Sequence, residues 1–497
     1  MLLPPSPIRT REVANVKTPD EYRQSLREMR PNVYKFGELI KDVTSHPATS
    51  RTISGHAQIY AAQHDPQYKD TVTKMSSFSG ERVSRYLTLI ESMDDMWANS
   101  RMKRLMFNLT GTCTGGRCVG WNATNAMWAT TWEIDKERGT RYNENLKGWL
   151  TEAQKRDISV CGALTDPKGN RSLPPHKQKD PDMNLRVVES SDKGIVVRGA
   201  KVQIAGAAAA HEIFVLPGSG YKAEDAAYSV AFVTPKDAKG ITVVEARHPS
   251  DGRDLEDGQD NPVKCGGITQ GYIIFDDIFV PKERVLMNGE WEWTMKNIMS
   301  FIASYRSAIG GCVAGQGDLM VGASALLARA NGLNEKVFSD KLNKMTVNNE
   351  TTFAVGIAAA ARGKKHPSGV WLCDPLLANV NKVHVATLPY ETKRLAQEIG
   401  GGIAETGCMP SWQDLESPEY GEKLKKYLKA NSSAETRVKL ARLIEWLTLG
   451  AGVPGTMHGG GSPDGAGLVI RANSDIEGKI ELVKRLIQID EDVKVEK

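Results

Sequence analysis

An α+β protein is expected from three features of the 497-residue sequence. Apolar residues recur every three to four positions from about residue 19 to 150, give way to short β-branched runs between about 156 and 290, and return to the helical period after Pro281. The strand-like runs are contiguous and do not alternate with helices, which separates this pattern from βαβ layering. At roughly 100–200 residues per domain the length allows two to four domains. We expect an N-terminal extension over 1–17, a helical domain over 18–155, a β domain over 156–290 and a C-terminal helical bundle over 291–497.

In the first part, DEYRQSLREM, GERVSRYLTLIESMDDMWANSRMKRLMFNL and TNAMWATTWEIDKERG carry the helical period, with Pro31 and His46-Pro47 as punctuation. In the middle, LRVVESSDKGIVVRGAKVQI reads as two strands around an SDKG turn, followed by YSVAFVTP, GITVVEARH and GYIIFDDIFVP. The last part holds WTMKNIMSFIASYRSAIGGC, GQGDLMVGASALLARA, FSDKLNKMTVNNETTFAVGIAAAARG, LLANVNKVHVATLPYETKRLAQEIGG, AETRVKLARLIEWLTLGA and IEGKIELVKRLIQI. Long helices with short connections point to an antiparallel bundle. DGRDLEDGQD reads as a solvated acidic insertion; Glu256 and Pro262 stand where a calcium loop needs Gly and Glu.

Lys+Arg 64 against Asp+Glu 60 leaves a net charge of +4, so a supercharged nucleic-acid binder is not expected. Unbroken apolar runs such as Phe353 to Ala361 fall short of the ~18 residues a membrane span needs, and the opening MLLPPSPIRTREV lacks the apolar stretch of a signal peptide. Seven cysteines, an odd number, argue for reduced thiols and against a disulfide framework. Together these give the expectation of a soluble globular cytoplasmic protein with neither nucleic acid nor membrane as partner.

GGGIAETG and HGGGSPDG do not follow a strand into a helix within a βαβ unit, and no P-loop is present. Cys113 and Cys118 form a C-x4-C with Gly115 and Gly116 in the spacer, which suits thiolate ligation of zinc or iron–sulfur and equally two buried thiols at a turn. Cys312 lies beside two glycines in a helical stretch, where close helix packing is the simpler reading. The segment Gly162 to Asp182 offers Lys168, Arg171, Lys177 and Lys179 around Gly169, a composition suited to an anionic cofactor or to an ordinary basic loop. His458 and the pair His211-Glu212 are the histidines best placed for chemistry.

Taken in order, HDPQY, RCVGWNATNA, GALTDPKGNR, KDPDMNLRVVE with GIVVRGAK, FDDIFVP, GGC, DPLLANVNK and MHGGGSP resemble the flavoprotein family of 4-hydroxyphenylacetate 3-monooxygenase and 4-hydroxybutyryl-CoA dehydratase, over roughly residues 18 to 490. The dehydratase branch fits better: the monooxygenase branch has a histidine just before its ALT segment, and Gly162 stands there. The resemblance implies an acyl-CoA-dehydrogenase-like architecture with a helical N-terminal domain, a β-barrel middle domain and a C-terminal four-helix bundle, usually as a homotetramer. It implies FAD bound by Lys168, Gly169, Asn170 and Arg171, by Pro174, Pro175 and Gln178, and by His458, Gly459 and Gly460. It also implies a [4Fe-4S] cluster whose cysteine ligands match Cys113, Cys118 and Cys312.

The departures concern the acid–base groups. Tyr305 replaces the histidine ligand, and the first cysteine pair is one residue further apart. Ala205, Gln270 and Gly455 replace a threonine and two glutamates, while Ile309 and Val313 replace the tyrosine and lysine flanking the cluster cysteine. The implied activity is a lyase or isomerase acting on a hydroxyacyl-CoA or related activated acid, with Tyr305, Gln270 and His458 as the candidates for contacting the reacting atoms. The alternatives are a cluster-free, reduced-flavin-dependent monooxygenase and a degenerate paralogue.

Overall fold

A computed structural model describes residues 16–247, 251, 256, 265–266, 269–334, 336–449 and 458–489. Helix α1 (Pro19–Arg27) starts on a reciprocal cap: the Thr18 hydroxyl accepts from the Glu21 amide, and the Glu21 carboxylate accepts from the Thr18 amide. A hairpin of β1 (Val33–Lys35) and β2 (Glu38–Ile40) follows, in a stretch where no strand is expected. Next come α2 (Ser50–His64), the short α3 (Lys69–Val72) and a second hairpin, β3 (Thr73–Met75) with β4 (Arg82–Ser84). Residues 80–90 therefore depart from the helical expectation. Helix α4 (Met93–Thr110) begins only where the Ser92 side chain caps it by accepting from the Asp95 amide. Helices α5 (Arg117–Arg138) and α6 (Tyr142–Arg156) complete this part.

The middle part contains β5 (Val160–Ala163), β6 (Arg186–Ser191), β7 (Gly194–Ala205), β8 (Glu212–Val215), β9 (Val230–Pro235), β10 (Ile241–Glu245), β11 (Gln270–Pro281) and β12 (Val285–Asn288). The strands expected from LRVVESS, GIVVRGAK, YSVAFVTP, GITVVE and GYIIFDDIFVP are all present. They form a six-stranded sheet in the order β2-β1-β10-β11-β7-β6 and a four-stranded sheet in the order β12-β9-β8-β5. Val197, Ile204, Ile273 and Phe275 of the first share one apolar core with Ile213, Val215 and Phe232 of the second, and Phe232 meets Phe275 edge to face at 5.9 Å. A closed barrel is not seen among the described residues, where both sheets are open. One-sided burial is common to sandwiches and barrels, so the alternation of buried residues does not distinguish them. The N-terminal part also supplies the edge of the larger sheet, with Val33 pairing in parallel with Val243.

The C-terminal part contains α7 (Thr294–Ala330), α8 (Lys336–Ala361) and α9 (Pro375–Gly400), then the short α10 (Gly402–Glu405), α11 (Trp412–Leu415) and α12 (Gly421–Leu428), and finally α13 (Ala434–Thr448), α14 (Pro463–Asn473) and α15 (Ile476–Ile487). The segments on either side of Gly310-Gly311 form one helix of 37 residues. These glycines are crossing points: a Cβ on Gly311 would overlap the Ser100 carbonyl of α4, and one on Gly310 the Thr352 carbonyl of α8. The stretch Trp291–Ala330 is long and apolar enough to cross a bilayer, but 61% of its most apolar window is buried within the protein, as in a core helix.

One buried carboxylate in the sheet core gives a stability prediction. Burial pushes Glu245, at the end of β10, up from 4.5 to about 7, although Lys35, the Ala208 amide and Lys236 favour its charged form. Between those two values the folded state binds the extra proton, so stability falls as pH rises through this window, at about 1.4 kcal/mol per unit. Glu245→Gln is therefore expected to be more stable than wild type at pH 8 by about 3 kcal/mol, and no more stable below about pH 4.5. Denaturant midpoints at the two pH values check this.

Candidate functional site

Cys113 follows the C-terminus of α4, Cys118 lies in the first turn of α5, and Cys312 lies midway along α7. With Tyr86, Lys103, Met106, Phe107, Thr112 and Thr114, the three line one narrow cavity. The loop carrying the first two rests on the end of β7, which requires glycine at 116: its φ is +107°, and a Cβ there would stand 2.6 Å from the Ala205 carbonyl oxygen. Gln270 is paired with Ala205 across the β7–β11 ladder. Two of the family departures thus face each other beneath the cysteine loop.

Tyr305 joins this cavity to the C-terminal turn. Its hydroxyl lies beside Cys118, its ring stacks on Phe301 at 5.6 Å, and the Lys103 ammonium stands 4.9 Å from the ring centroid. The opposite neighbour is Gly460, where a Cβ would lie 2.8 Å from the ring. The turn from His458 is held by cations: Arg306 Nε donates to the Gly460 carbonyl at 2.9 Å, and Lys382 Nζ to the Gly459 carbonyl at 2.7 Å. Burial pulls Arg306 down to about 10, and burial with the Arg306 charge pulls Lys382 down to about 8. His458 itself is exposed. Ile309 and Val313 pack with Val385 into an apolar patch against Tyr305 and Cys312. Gly455 lies outside the described residues.

Burial and the neighbouring Cys312 and Cys118 push the Cys113 thiol well up, and burial raises Cys312 to about 11, with the Lys103 charge opposing both shifts. Burial and the adjacent cysteines also raise Tyr305 well above the usual tyrosine range. A metal centre here would displace these protons, as thiolate ligation requires. Among the described residues no three His, Cys, Asp or Glu side chains are arranged to hold a single metal ion. A four-iron cluster asks less of its thiolates, because each binds a different iron. Three thiols on one cavity, beside the buried and unpartnered Thr112 hydroxyl, fit that donor set.

The basic loop forms a second feature. Lys168 and Gly169 are both at positive φ, +70° and +48°. Gln178 closes the loop on itself, accepting from the Asn170 amide at 3.0 Å and donating to the Asn170 and Leu173 carbonyls at 2.8 and 3.0 Å. Beneath it, buried Asp166 pairs with Lys201 at 2.8 Å and accepts from the Tyr221 hydroxyl at 3.0 Å. Gly169, Asn170, Leu173, Gln178, Lys179, Asp180, Pro181 and Met183 line a groove of about 680 Å³, and a Cβ on Gly169 would run into Gln178 and Met183. Arg171 is exposed, and Pro174 and Pro175 are half-buried. An exposed cationic loop over an open groove fits the phosphates and ribityl chain of a dinucleotide. The two features lie along β7, since the Val202 amide donates to Thr165 and the Ala205 carbonyl meets Gly116; at ~3.3 Å per residue these points are about 10 Å apart.

His211 and Glu212 have structural roles. The His211 Nδ1 accepts from the Ser159 amide at 2.9 Å, which leaves Nε2 to donate to Ser25 Oγ at 2.8 Å. Glu212 accepts from Trp149, Arg156 and Arg284 at 2.8 to 3.0 Å. The residues that the sequence does not single out are Lys103, Arg306 and Lys382. Each looks like an ordinary helical basic residue, and only tertiary packing makes it a buried cation.

The 4-hydroxyphenylacetate 3-hydroxylase N-terminal family matches residues 18–287 and its C-terminal counterpart residues 296–488. The chain is 37% identical, over 95% of its length and 99% of the relative's, to the 4-hydroxybutyryl-CoA dehydratase/vinylacetyl-CoA-Delta-isomerase of Clostridium aminobutyricum. It is 27% identical to the 4-hydroxyphenylacetate 3-monooxygenase oxygenase component of Thermus thermophilus, over 87% of this chain and 88% of that one. Among solved structures, an oxygen-tolerant archaeal 4-hydroxybutyryl-CoA dehydratase from N. maritimus superposes with a TM-score of 0.92 at 36% identity, covering 97% of both chains. The chain therefore belongs to the 4-hydroxyphenylacetate 3-hydroxylase and 4-hydroxybutyryl-CoA dehydratase family.

Proposed function

We propose that this protein is a flavin- and [4Fe-4S]-dependent dehydratase/isomerase-like enzyme acting on a hydroxyacyl-CoA or a related thioester. The observation that carries the reading is the meeting of Cys113, Cys118 and Cys312 on one cavity with Tyr305, which also packs against the Gly460 turn. Cys113, Cys118 and Cys312 would hold the cluster. Lys168, Gly169, Asn170, Arg171, Pro174, Pro175, Gln178 and the His458-Gly459-Gly460 turn would hold FAD. When bound, the flavin supplies electron exchange and the cluster a Lewis acid for a hydroxyl oxygen.

The chain's own residues do the rest. Lys168 and Arg171 offset phosphate charge, and Gln178 keeps their loop closed. Arg306 and Lys382 fix the turn, so that His458 presents an imidazole able to take a substrate proton. Tyr305 holds its hydroxyl at Cys118, next to where a substrate oxygen would bind, and the Gln270 amide orients the acyl chain from the β7–β11 edge. Without the family carboxylates, proton removal at an unactivated carbon falls to His458. The apolar residues Ile476, Ile480, Val483 and Ile487, exposed on α15, suit burial against other copies in a homotetramer. Seven free cysteines suit a reducing, cytoplasmic setting.

The test is anaerobic incubation with 4-hydroxybutyryl-CoA, following loss of one water by mass spectrometry. Loss of water supports the reading. Oxygen-dependent hydroxylation of 4-hydroxyphenylacetate with reduced flavin, and no dehydration, supports the monooxygenase alternative, whose relatives this chain also resembles.

A further inference from the structure

Arg306, on α7, is a cation with only neutral partners, and it is only 4% exposed. Its Nε donates to the Gly460 carbonyl at 2.9 Å, and Nη1 to the side-chain oxygen of Asn379, a fully buried amide tied back to the Pro375 carbonyl at 2.6 Å. Among the described residues no carboxylate pairs with Arg306 and its Nη2 has no acceptor. That nitrogen stands at Gly461, where φ is +93° and a Cβ would lie 2.7 Å away. Lys382, also buried, brings a second positive charge to the neighbouring Gly459 carbonyl. Carbonyl oxygens satisfy hydrogen bonds but cancel no charge, and two like charges held together out of water are costly. Neutral donors would fix the turn without that cost, so the pair suits a turn that faces negative charge.

We infer that Arg306, with Lys382 beside it, faces the pyrimidine edge of the flavin ring and sets its potential by holding the reduced ring as an anion. This rests on the FAD reading above. Lys168 and Arg171, at the far end of the two features along β7, account for the diphosphate. The Gly460 turn packs instead on Tyr305, beside Cys118, so the part of the cofactor that meets it is the part that exchanges electrons. On taking up two electrons and one proton, the ring carries the proton at N5 and one negative charge across its N1 and C2 carbonyl edge. A fixed cation at that edge favours the reduced form.

The experiment equilibrates the flavin of anaerobically purified holoenzyme with a reference dye under limiting dithionite, reading the ratio of reduced to oxidised flavin at a fixed ratio of reduced to oxidised dye. Arg306→Met is expected to lower the flavin ratio roughly ten-fold or more, the size of one nearby unit charge in a protein interior. Arg306→Lys keeps the charge without the guanidinium fork, and is expected to stay within about three-fold of wild type. A role confined to fixing the turn predicts otherwise: both variants bind FAD more weakly, and the ratio in the flavin they retain is that of wild type. If Arg306→Met holds no flavin, Lys382→Met takes its place, with a fall of about five-fold expected. An unchanged ratio in the methionine variant, or an equal fall in Arg306→Met and Arg306→Lys, overturns the inference and leaves the FAD reading standing. A wild type that binds no FAD refutes that reading and the inference together.

Discussion

Replacing Cys312 by Ala is expected to abolish iron binding, from about four irons per chain to background, with flavin content retained. Cys312 reaches the cavity from α7 while Cys113 and Cys118 come from the α4–α5 loop, so removing it leaves two thiols on a single loop. Two ligands do not hold a four-iron cluster that is otherwise bound by three thiolates. The cost to the fold is small, about 1 kcal/mol, because a half-buried sulfur is lost next to the apolar Ile309, Val313 and Val385. Cys408→Ala is the control, since this exposed thiol is not among the residues that line the cavity. Iron and sulfide analysis of the two variants decides the matter, and unchanged iron in Cys312→Ala contradicts the ligand assignment.

Gly311→Val is expected to destabilise the protein by ~3 kcal/mol or more, or to prevent soluble expression. The added side chain meets the Ser100 carbonyl, a backbone atom of α4 that no rotamer change can move. Helices α4 and α7 must then part where one carries Lys103 and the other Cys312. Gly311→Ala adds one carbon at the same place, and is expected to fold with a lowered denaturant midpoint and reduced iron content. A Gly311→Val protein with wild-type stability would mean that the α4–α7 contact is not as close as described.

The helix, sheet, helix order was readable because it depends on local periodicity, and long helices such as α7 and α9 and the alternating strand β11 carry that signal over many residues. The hairpin of β1 and β2 was not. Its two-residue loop is Phe36-Gly37, with φ of +52° and +81°, and a phenylalanine in the position usually taken by Asn or Asp hides the turn. Residues 80–90 carry an apolar spacing that suits a helix, yet the pairing of Thr73–Met75 with Arg82–Ser84 makes the first of them a strand, and only a single 3-10 turn, Arg85–Leu87, follows. At the site, Cys113 and Cys118 stood out by their C-x4-C spacing, whereas Cys312 by itself read as helix packing and joined them only through the family resemblance. Lys103 gave no signal, because between Met102 and Arg104 it resembles any solvated lysine until α7 covers it. Whether the two sheets close into a barrel could not be read either, since closure depends on which edges pair.

The most direct test of this account is anaerobic purification followed by iron, sulfide and flavin quantitation. It predicts about four irons and four sulfides per flavin, held by Cys113, Cys118 and Cys312 with Tyr305 in place of the family histidine. Flavin with no iron would contradict it, leaving the cysteines as packing residues and the cluster-dependent reading without support.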